Sequence, residues 1–288
     1  MAAKKDEEKK QDTQAITKQE APGALAAIDW GEDANAGFDQ LDKGDTAIAF
    51  LNVLQALSPL VSQEKARPGD YYNTLTEQIW KRDTGFLFVP ATTRRIVVQW
   101  GPRDSADAGF HGVMQLDDHR WLKAVANAEK FGKNKLGGDG PQKDDTLQET
   151  AYLYGIIVND DLSFDGFGCI PCASTKLGPY RKLMGRLQQI LTVNSQGKRE
   201  RAPLYSHLLR VTAMMPPDVD PKKSYYVPVF GPGRGADHKS SLLTPADEAF
   251  FMAKSLKKLI DSDKAKVDYS KQKAQEGDGG EADGDVPF

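Results

Sequence analysis

The side chains best suited to chemistry in this 288-residue chain are cationic and aromatic residues that interleave along several short apolar segments. A cation can neutralise a phosphate and an aromatic ring can stack on any nucleobase, so together they supply what binding of a single-stranded nucleic acid without sequence preference needs. Neighbouring strand residues point to opposite faces, and one member of each pair Arg94/Arg95 and Tyr225/Tyr226 should therefore face outward. The predicted DNA-binding residues are Arg94, Arg95, Trp100, Tyr154, Phe167, Lys176, Arg181, Arg210, Lys222, Tyr226 and Arg234.

Three other motifs could carry chemistry, and each lacks a part that the chemistry needs. Cys169-Ile170-Pro171-Cys172 has the spacing of half a zinc site or of a redox pair, but there is no second such pair and the four histidines show no ligand spacing. Since it lies in a β-like segment and not at a helix N-terminus, two structural strand cysteines are favoured over a metal site. Asp117-Asp118-His119 could suggest metal-dependent nuclease chemistry, but this chemistry would need a spaced carboxylate and lysine partner, and none stands out. A solvated loop is therefore favoured.

The glycine-rich segment Gly231–Gly235 lacks the Gly-Lys-Ser/Thr that holds nucleotide phosphates, so it is interpreted as a turn in which Arg234 could contact a DNA phosphate. No Ser/His/Asp or Cys/His order is recognisable. We therefore predict a binding protein that is not an enzyme and needs no cofactor.

The charges are segregated along the chain. Residues 170–240 contain twelve Lys and Arg against four acids, whereas residues 276–288 contain five acids and no base. The near-neutral total, a net charge of −3, therefore hides a cationic body and an anionic tail. This asymmetry is typical of a protein that binds a polyanionic partner and carries an acidic interaction tail.

Composition excludes several classes of protein. No apolar run approaches the roughly 20 residues that a membrane-spanning helix needs, and the first eleven residues lack the apolar core of a secretory signal. Two cysteines exclude a disulfide scaffold and fit a reducing compartment. We expect a cytoplasmic protein without membrane contact, whose oligomeric state the sequence leaves open.

The elements that must position these residues are mainly strands. The sequence predicts strands over 92–100, 151–158, 167–173, 208–215 and 224–230, with a helix from Pro179 between the third and the fourth. On that helix Arg181, Lys182 and Arg186 should face solvent. A further helix should begin with Thr244 as N-cap, while the apolar segment 47–61 fits either a strand or a short helix.

This order predicts a mainly β (α+β) fold: an OB-fold-like, five-stranded antiparallel barrel with an N-terminal β extension, an inserted loop and a C-terminal helix. The domain boundaries follow from composition. Residues 1–45 are expected to be a disordered or extended arm, 46–263 the domain that binds single-stranded DNA, and 264–288 a flexible acidic tail.

The chain ends Asp283-Gly284-Asp285-Val286-Pro287-Phe288 after a glycine-rich acidic stretch. This end resembles the C-terminal tip of bacterial and phage single-stranded DNA-binding proteins. The resemblance implies that the tip docks on replication and repair proteins, because a terminal Phe ring and its carboxylate fit an apolar pocket rimmed by Arg or Lys. The residues it assigns to partner binding are Asp283, Asp285, Val286, Pro287 and Phe288.

Two features favour a phage protein over a bacterial one. The bacterial proteins begin with the barrel and reach the tip through a long linker, whereas here about 90 residues precede the barrel and a helix precedes a short tail. The segment from Leu54 to Pro59, with Pro68-Gly69-Asp70 and Asn73-Thr74, is similar to a stretch in phage proteins of replication and recombination modules.

The resemblance and the charge pattern together predict a phage-encoded protein that coats and protects single-stranded DNA in replication, recombination and repair within the host cytoplasm. Two alternatives stay open. A strand-annealing recombination protein would share the basic groove and form rings, which electron microscopy would reveal. A metal-dependent nuclease would cleave labelled DNA only when a divalent cation is present.

Overall fold

The protein is described from a computed structural model. The description covers residues 48–102, 108–131, 135–137, 141–194, 196–217, 225–262 and 265, without the side chains of 128–131. The predicted arm, 1–45, lies outside the described residues, and so does the predicted tail, 264–288, apart from Ala265.

The described part of the chain is mainly β, as the sequence predicts. Its strands are β1 (Ala49–Val53), β2 (Tyr71–Asn73), β3 (Ile79–Trp80), β4 (Phe86–Trp100), β5 (Phe110–Met114), β6 (Thr146–Val158), β7 (Phe164–Ala173), β8 (Leu191–Val193), β9 (Arg199–Arg201), β10 (Leu209–Met214) and β11 (Val227–Pro232). Its helices are α1 (Pro59–Ser62), α2 (His119–Phe131), α3 (Leu177–Leu187) and α4 (Glu248–Asp261).

One large open sheet organises the fold. Its strands follow the order β11-β10-β4-β6-β7-β1-β2-β3, β5 pairs with β4 beside this path, and β8 and β9 form a separate hairpin. The pair β1–β7 is parallel and the others are antiparallel. Within the sheet, β10 returns past α3 to lie beside β4, and the order β10-β4-β6-β7 is that of a Greek key.

The longest strand, β4, begins six residues before the predicted strand 92–100 and runs through a proline. Pro90 pairs with Gly155 of β6, and the register shifts between Pro90 and Thr92. A bulge at this point tolerates the missing N–H of proline. Glycine is required opposite, because a Cβ at position 155 would lie 2.3 Å from the Val89 carbonyl oxygen.

The sheet packs an apolar cluster against each of its faces. On one face Tyr152, Tyr154 and Cys169 pack with α4, which contributes Phe250, Ala253, Leu256 and Ile260. On the other face Leu153, Ile170 and Val211 pack with Tyr180, Leu183 and Leu187 of α3. A third, smaller cluster places Trp121 and Ala124 of α2 against Val97 and Leu147.

The sheet curls, so that its two ends come into contact. The Tyr71 hydroxyl of β2 donates to the Thr212 carbonyl of β10 at 3.2 Å. Next to β11, the Gln55 side chain exchanges hydrogen bonds with the Tyr226 backbone at 2.8 and 3.1 Å. Between β7 and β11 the 3-10 turn Ser174–Lys176 and α3 contact both strands.

Two helix starts differ from the sequence prediction. The N-cap of the last helix is Asp247 and not Thr244. The Asp247 carboxylate instead accepts hydrogen bonds from the Thr244 N–H and hydroxyl at 2.6 and 2.9 Å, which form a turn before α4. The earlier helix begins at Leu177, two residues before Pro179, because the preceding 3-10 turn leads directly into it. Among the described residues, no helix is long and apolar enough to span a bilayer.

Candidate nucleic-acid interface

Helix α3 presents a cationic side to solvent. Tyr180, Leu183 and Leu187 are its buried residues, one apolar stripe that contacts the sheet. Arg181 and Lys182 lie off this stripe and are exposed, as is Arg186 one turn later. The predicted orientation of these three cations is confirmed.

Two of the predicted DNA-binding residues meet on one carboxylate. Arg95 of β4 donates to Glu149 Oε1 from both Nε and Nη2. Arg181 Nη2 lies 3.3 Å from Glu149 Oε2. The Glu149 side chain is 16% exposed, while those of Arg95 and Arg181 are 43% and 60% exposed. The shielded Glu149 carboxylate thus orients the exposed guanidinium groups of Arg95 and Arg181, and the three side chains together have a net positive charge.

The hairpin β8–β9 extends the cationic surface. Leu191 pairs with Arg201 and Val193 with Arg199, so these four side chains share one face of the hairpin. All four are exposed, Val193 by 66%. Arg201 Nε donates to the Gln188 carbonyl at 3.0 Å, which ties the hairpin to the end of α3.

The charge of this region is strongly one-sided. Residues 174–201, which include α3 and the hairpin, carry seven Lys and Arg against the single acid Glu200. Neither Lys182, Arg186 nor Arg199 forms an ion pair within the described part of the chain. The α3–hairpin surface is defined here by Arg95, Arg181, Lys182, Arg186, Arg199 and Arg201.

Three other predicted arginines lie apart from this surface, each bonded to another part of the protein. Arg94 Nη2 donates to the Ile260 carbonyl at 2.6 Å and so caps the end of α4. Arg210 pairs with Asp160 at 3.2 Å, beside the β6–β7 turn. Arg234 Nη2 donates to the Leu242 carbonyl at 2.7 Å and holds its turn closed.

The predicted stacking aromatics do not form one platform. Tyr154 is only 3% exposed, because α4 covers the face of β6 to which it points, and the expectation of a ring open to bases is wrong for this residue. Trp100 packs edge-to-face on Phe110 at 6.0 Å, and Phe167 packs on Phe164 at 5.0 Å. The Tyr226 hydroxyl accepts a hydrogen bond from Arg82 at 2.8 Å.

The remaining predicted residues divide between the edge of the surface and the parts left undescribed. Lys176 is half-buried in the 3-10 turn that leads into α3. Lys222 lies outside the described residues, and so do all five predicted partner-binding residues, Asp283, Asp285, Val286, Pro287 and Phe288.

The Cys169/Cys172 and Asp117-Asp118-His119 motifs are not part of the α3–hairpin surface. Cys169 and Cys172 are buried and unbridged within β7, and they belong to the clusters on opposite faces of the sheet. Burial raises the pKa of both thiols, that of Cys172 to about 12. Hydrogen bonds from Arg120 lower the pKa of Asp118 to about 2. Across the described ranges, no three His, Cys, Asp or Glu side chains are placed to share a metal ion.

Sequence reasoning did not assign Lys182, Arg186, Arg199 or Arg201 to the site. The sequence signal that points to these four residues is the local density of positive charge. Residues 174–201 hold more than half of the twelve Lys and Arg in residues 170–240. The pattern of interleaved aromatic residues instead indicates strand residues, and most of their rings pack against other side chains of the protein.

The fold and the surface define a mainly β protein with a Greek-key sheet and one cationic face. By sequence comparison, residues 16–266 match the family described as Pam3 phage gp34-like protein, and the chain belongs to this family. No curated protein and no solved structure matches the chain.

Proposed function

We propose that the protein binds single-stranded DNA without sequence specificity through the α3–hairpin surface, and that it protects such DNA during phage replication and recombination without catalysing a reaction. The observation that carries the proposal is the concentration of seven bases and one acid in residues 174–201, with most of their charges exposed. Like charges held this close repel one another and disfavour the folded state, and a polyanion removes that repulsion.

The strand order supports an OB-like fold as part of this proposal. An OB-fold is a five-stranded, partly open Greek-key barrel. The strands β4, β6, β7, β10 and β11 are five in number, lie in Greek-key order and have α3 between the third and the fourth. Both faces of β6 and β7 are covered here, one by α4 and the other by α3, so the interface that we propose lies on the solvent side of α3 and on the hairpin.

The test is a titration of full-length protein against labelled oligo-dT and against duplex of equal length, at several salt concentrations. We expect tighter binding of the single strand, with log Kd rising linearly with log salt because each phosphate contact releases counterions. Equal affinity for both forms, or affinity indifferent to salt, would refute the proposal.

The recruitment of replication and repair proteins by the last residues is the second part of the proposal, and it rests on the sequence of the tip alone. Pull-down of host proteins by the full chain, compared with a Phe288→Ala variant, tests it. Equal recovery of the same proteins by both chains would count against it.

A further inference from the structure

A groove lies between α3 and β11, beside the cationic side chains of α3. It has a volume of about 350 Å³. Pro179 lies on its helix side, Met214 on its β10 side, and Pro228 and Val229 on β11. Met214 is 46% exposed although it is a large apolar residue, so part of this wall faces water.

The described lining of the groove is cationic. Lys182 and Arg186 contribute to it, and no described residue of the lining is acidic. They are one helical turn apart, with about 5–6 Å between their Cβ atoms, so their long side chains can reach neighbouring anionic groups. An apolar floor with cations on one side matches a ligand that has a flat apolar part and anionic groups attached to it.

A nucleotide within a single strand has this chemistry, with a base to bury and phosphates on both sides. A volume of this size lies at the lower end of the range for small-molecule sites. The polarisable thioether of Met214 and the ring of Pro228 provide surfaces on which a planar base can pack. A second copy that presented the same cationic surface would be repelled, which disfavours a symmetric dimer at the groove.

We infer that the α3–β11 groove takes one nucleobase of a bound single strand, while Lys182 and Arg186 contact the flanking phosphates. The inference rests on the proposed function and adds a site at which the strand is gripped by its base. It requires that affinity depend on the bases as well as on the backbone.

The experiment compares oligo-dT with an abasic oligonucleotide of equal length, both titrated into full-length protein by fluorescence anisotropy. Met214→Ser and Val229→Ser shorten the apolar wall without changing charge, and Leu122→Ser on α2 is the control for removal of an exposed apolar side chain. Each groove variant should bind oligo-dT about ten-fold more weakly and the abasic strand as the wild type does, since stacking on one base is removed. The control should match the wild type on both strands.

Several results would overturn the inference. If the wild type prefers oligo-dT to duplex but the groove variants bind it normally, the groove is wrong and the proposed function stands. If the wild type shows no such preference, the proposed function itself fails. Equally weakened binding of both strands by variants that circular dichroism shows to be folded would mean that the groove does not recognise a base, and would also overturn the inference. Binding of a peptide with the sequence of residues 277–288, abolished in the Ser variants while oligo-dT binding persists, would assign the groove to a protein segment.

Discussion

His207 is a buried residue whose titration should govern stability in acid. It follows the 3-10 turn Leu204–Ser206 and is 1% exposed. Burial, and to a smaller extent the neighbouring His238, lowers its pKa from 6.5 to about 4. Its Nδ1 atom has no hydrogen-bond partner among the described residues, so a proton added there finds no acceptor. The folded state therefore holds His207 neutral while the unfolded chain protonates it.

We expect the stability that depends on neutral His207 to be complete above pH 6.5 and to be lost as the pH falls towards 4. The free energy of unfolding should decrease by roughly 2–3 kcal/mol over this window, since one pKa unit corresponds to about 1.4 kcal/mol. Urea titrations at several pH values measure it. His207→Gln should flatten the dependence and the exposed His119→Gln should not; parallel curves for all three proteins would contradict this role.

Tyr154 gives a second residue-level prediction. Its ring lies 6.3 Å from that of Tyr152 under α4, so its removal should reduce stability and not DNA binding. Tyr154→Ala should lower the free energy of unfolding by about 3–5 kcal/mol, as truncation of a buried aromatic does. Phe251→Ala, which removes a 52% exposed ring from α4, is the control and should cost much less. A Tyr154→Ala protein of normal stability that no longer binds DNA would show instead that this ring stacks on a base.

Tyr154 also shows what a strand sequence leaves open. Alternation predicts that Tyr152 and Tyr154 share one face of β6, and they do. Whether that face is covered depends on α4, which lies about 90 residues later in the chain. Arg181 was predictable, since the apolar stripe of one helix was enough to orient it, but its Glu149 partner comes from a distant strand.

At the level of elements, the hairpin β8–β9 is the part of the surface most easily altered without harm to the core. Its face with Arg199 and Arg201 is exposed. Arg199→Gln with Arg201→Gln should weaken binding of oligo-dT and reduce the slope of log K against log salt by about 2, roughly one for each phosphate that is no longer neutralised. Lys123→Gln with Lys258→Gln removes the same charge from α2 and α4 and should leave the slope nearly unchanged. Equal slopes for the two double variants would exclude a specific role of the hairpin.

The elements divide into those that the sequence predicts and those that it does not, for physical reasons. The strands β4, β6, β7, β10 and β11 lie in apolar, β-rich runs bounded by turn residues, and helix α3 has an apolar stripe. Strands β8 and β9 have three residues each, too few for a pattern, and β5 and α2 lie in the region predicted as an inserted loop. Strand β4 continues through Pro90 because a bulge tolerates the missing N–H and Gly155 leaves room for the Val89 carbonyl, which only the pairing with β6 reveals.

At the scale of the whole molecule, a different helix covers each face of the sheet, and the cationic surface lies on one of these two helices and the hairpin that follows it. Helix α4 covers one face, while α3 covers the other and carries Arg181, Lys182 and Arg186 on its solvent side. The family match ends at residue 266, before the acidic terminal segment begins. The cationic body lies within the matched range and the anionic end lies beyond it.

The acidic end should compete with DNA for the cationic surface. Residues 276–288 carry five acids and no base, whereas residues 170–240 have a net charge of +8 from twelve bases and four acids. Deleting residues 277–288 should therefore tighten binding of oligo-dT, more at low salt than at high salt because screening weakens the competition. By linkage, DNA should release the end of the chain for a partner by the same coupling free energy. Anisotropy titrations of the full and truncated chains at two salt concentrations test this, with Phe288→Ala as a control that keeps every acid. Equal affinities of the two chains at low salt would end the idea of a switch, even if Phe288 still proved necessary for partner docking.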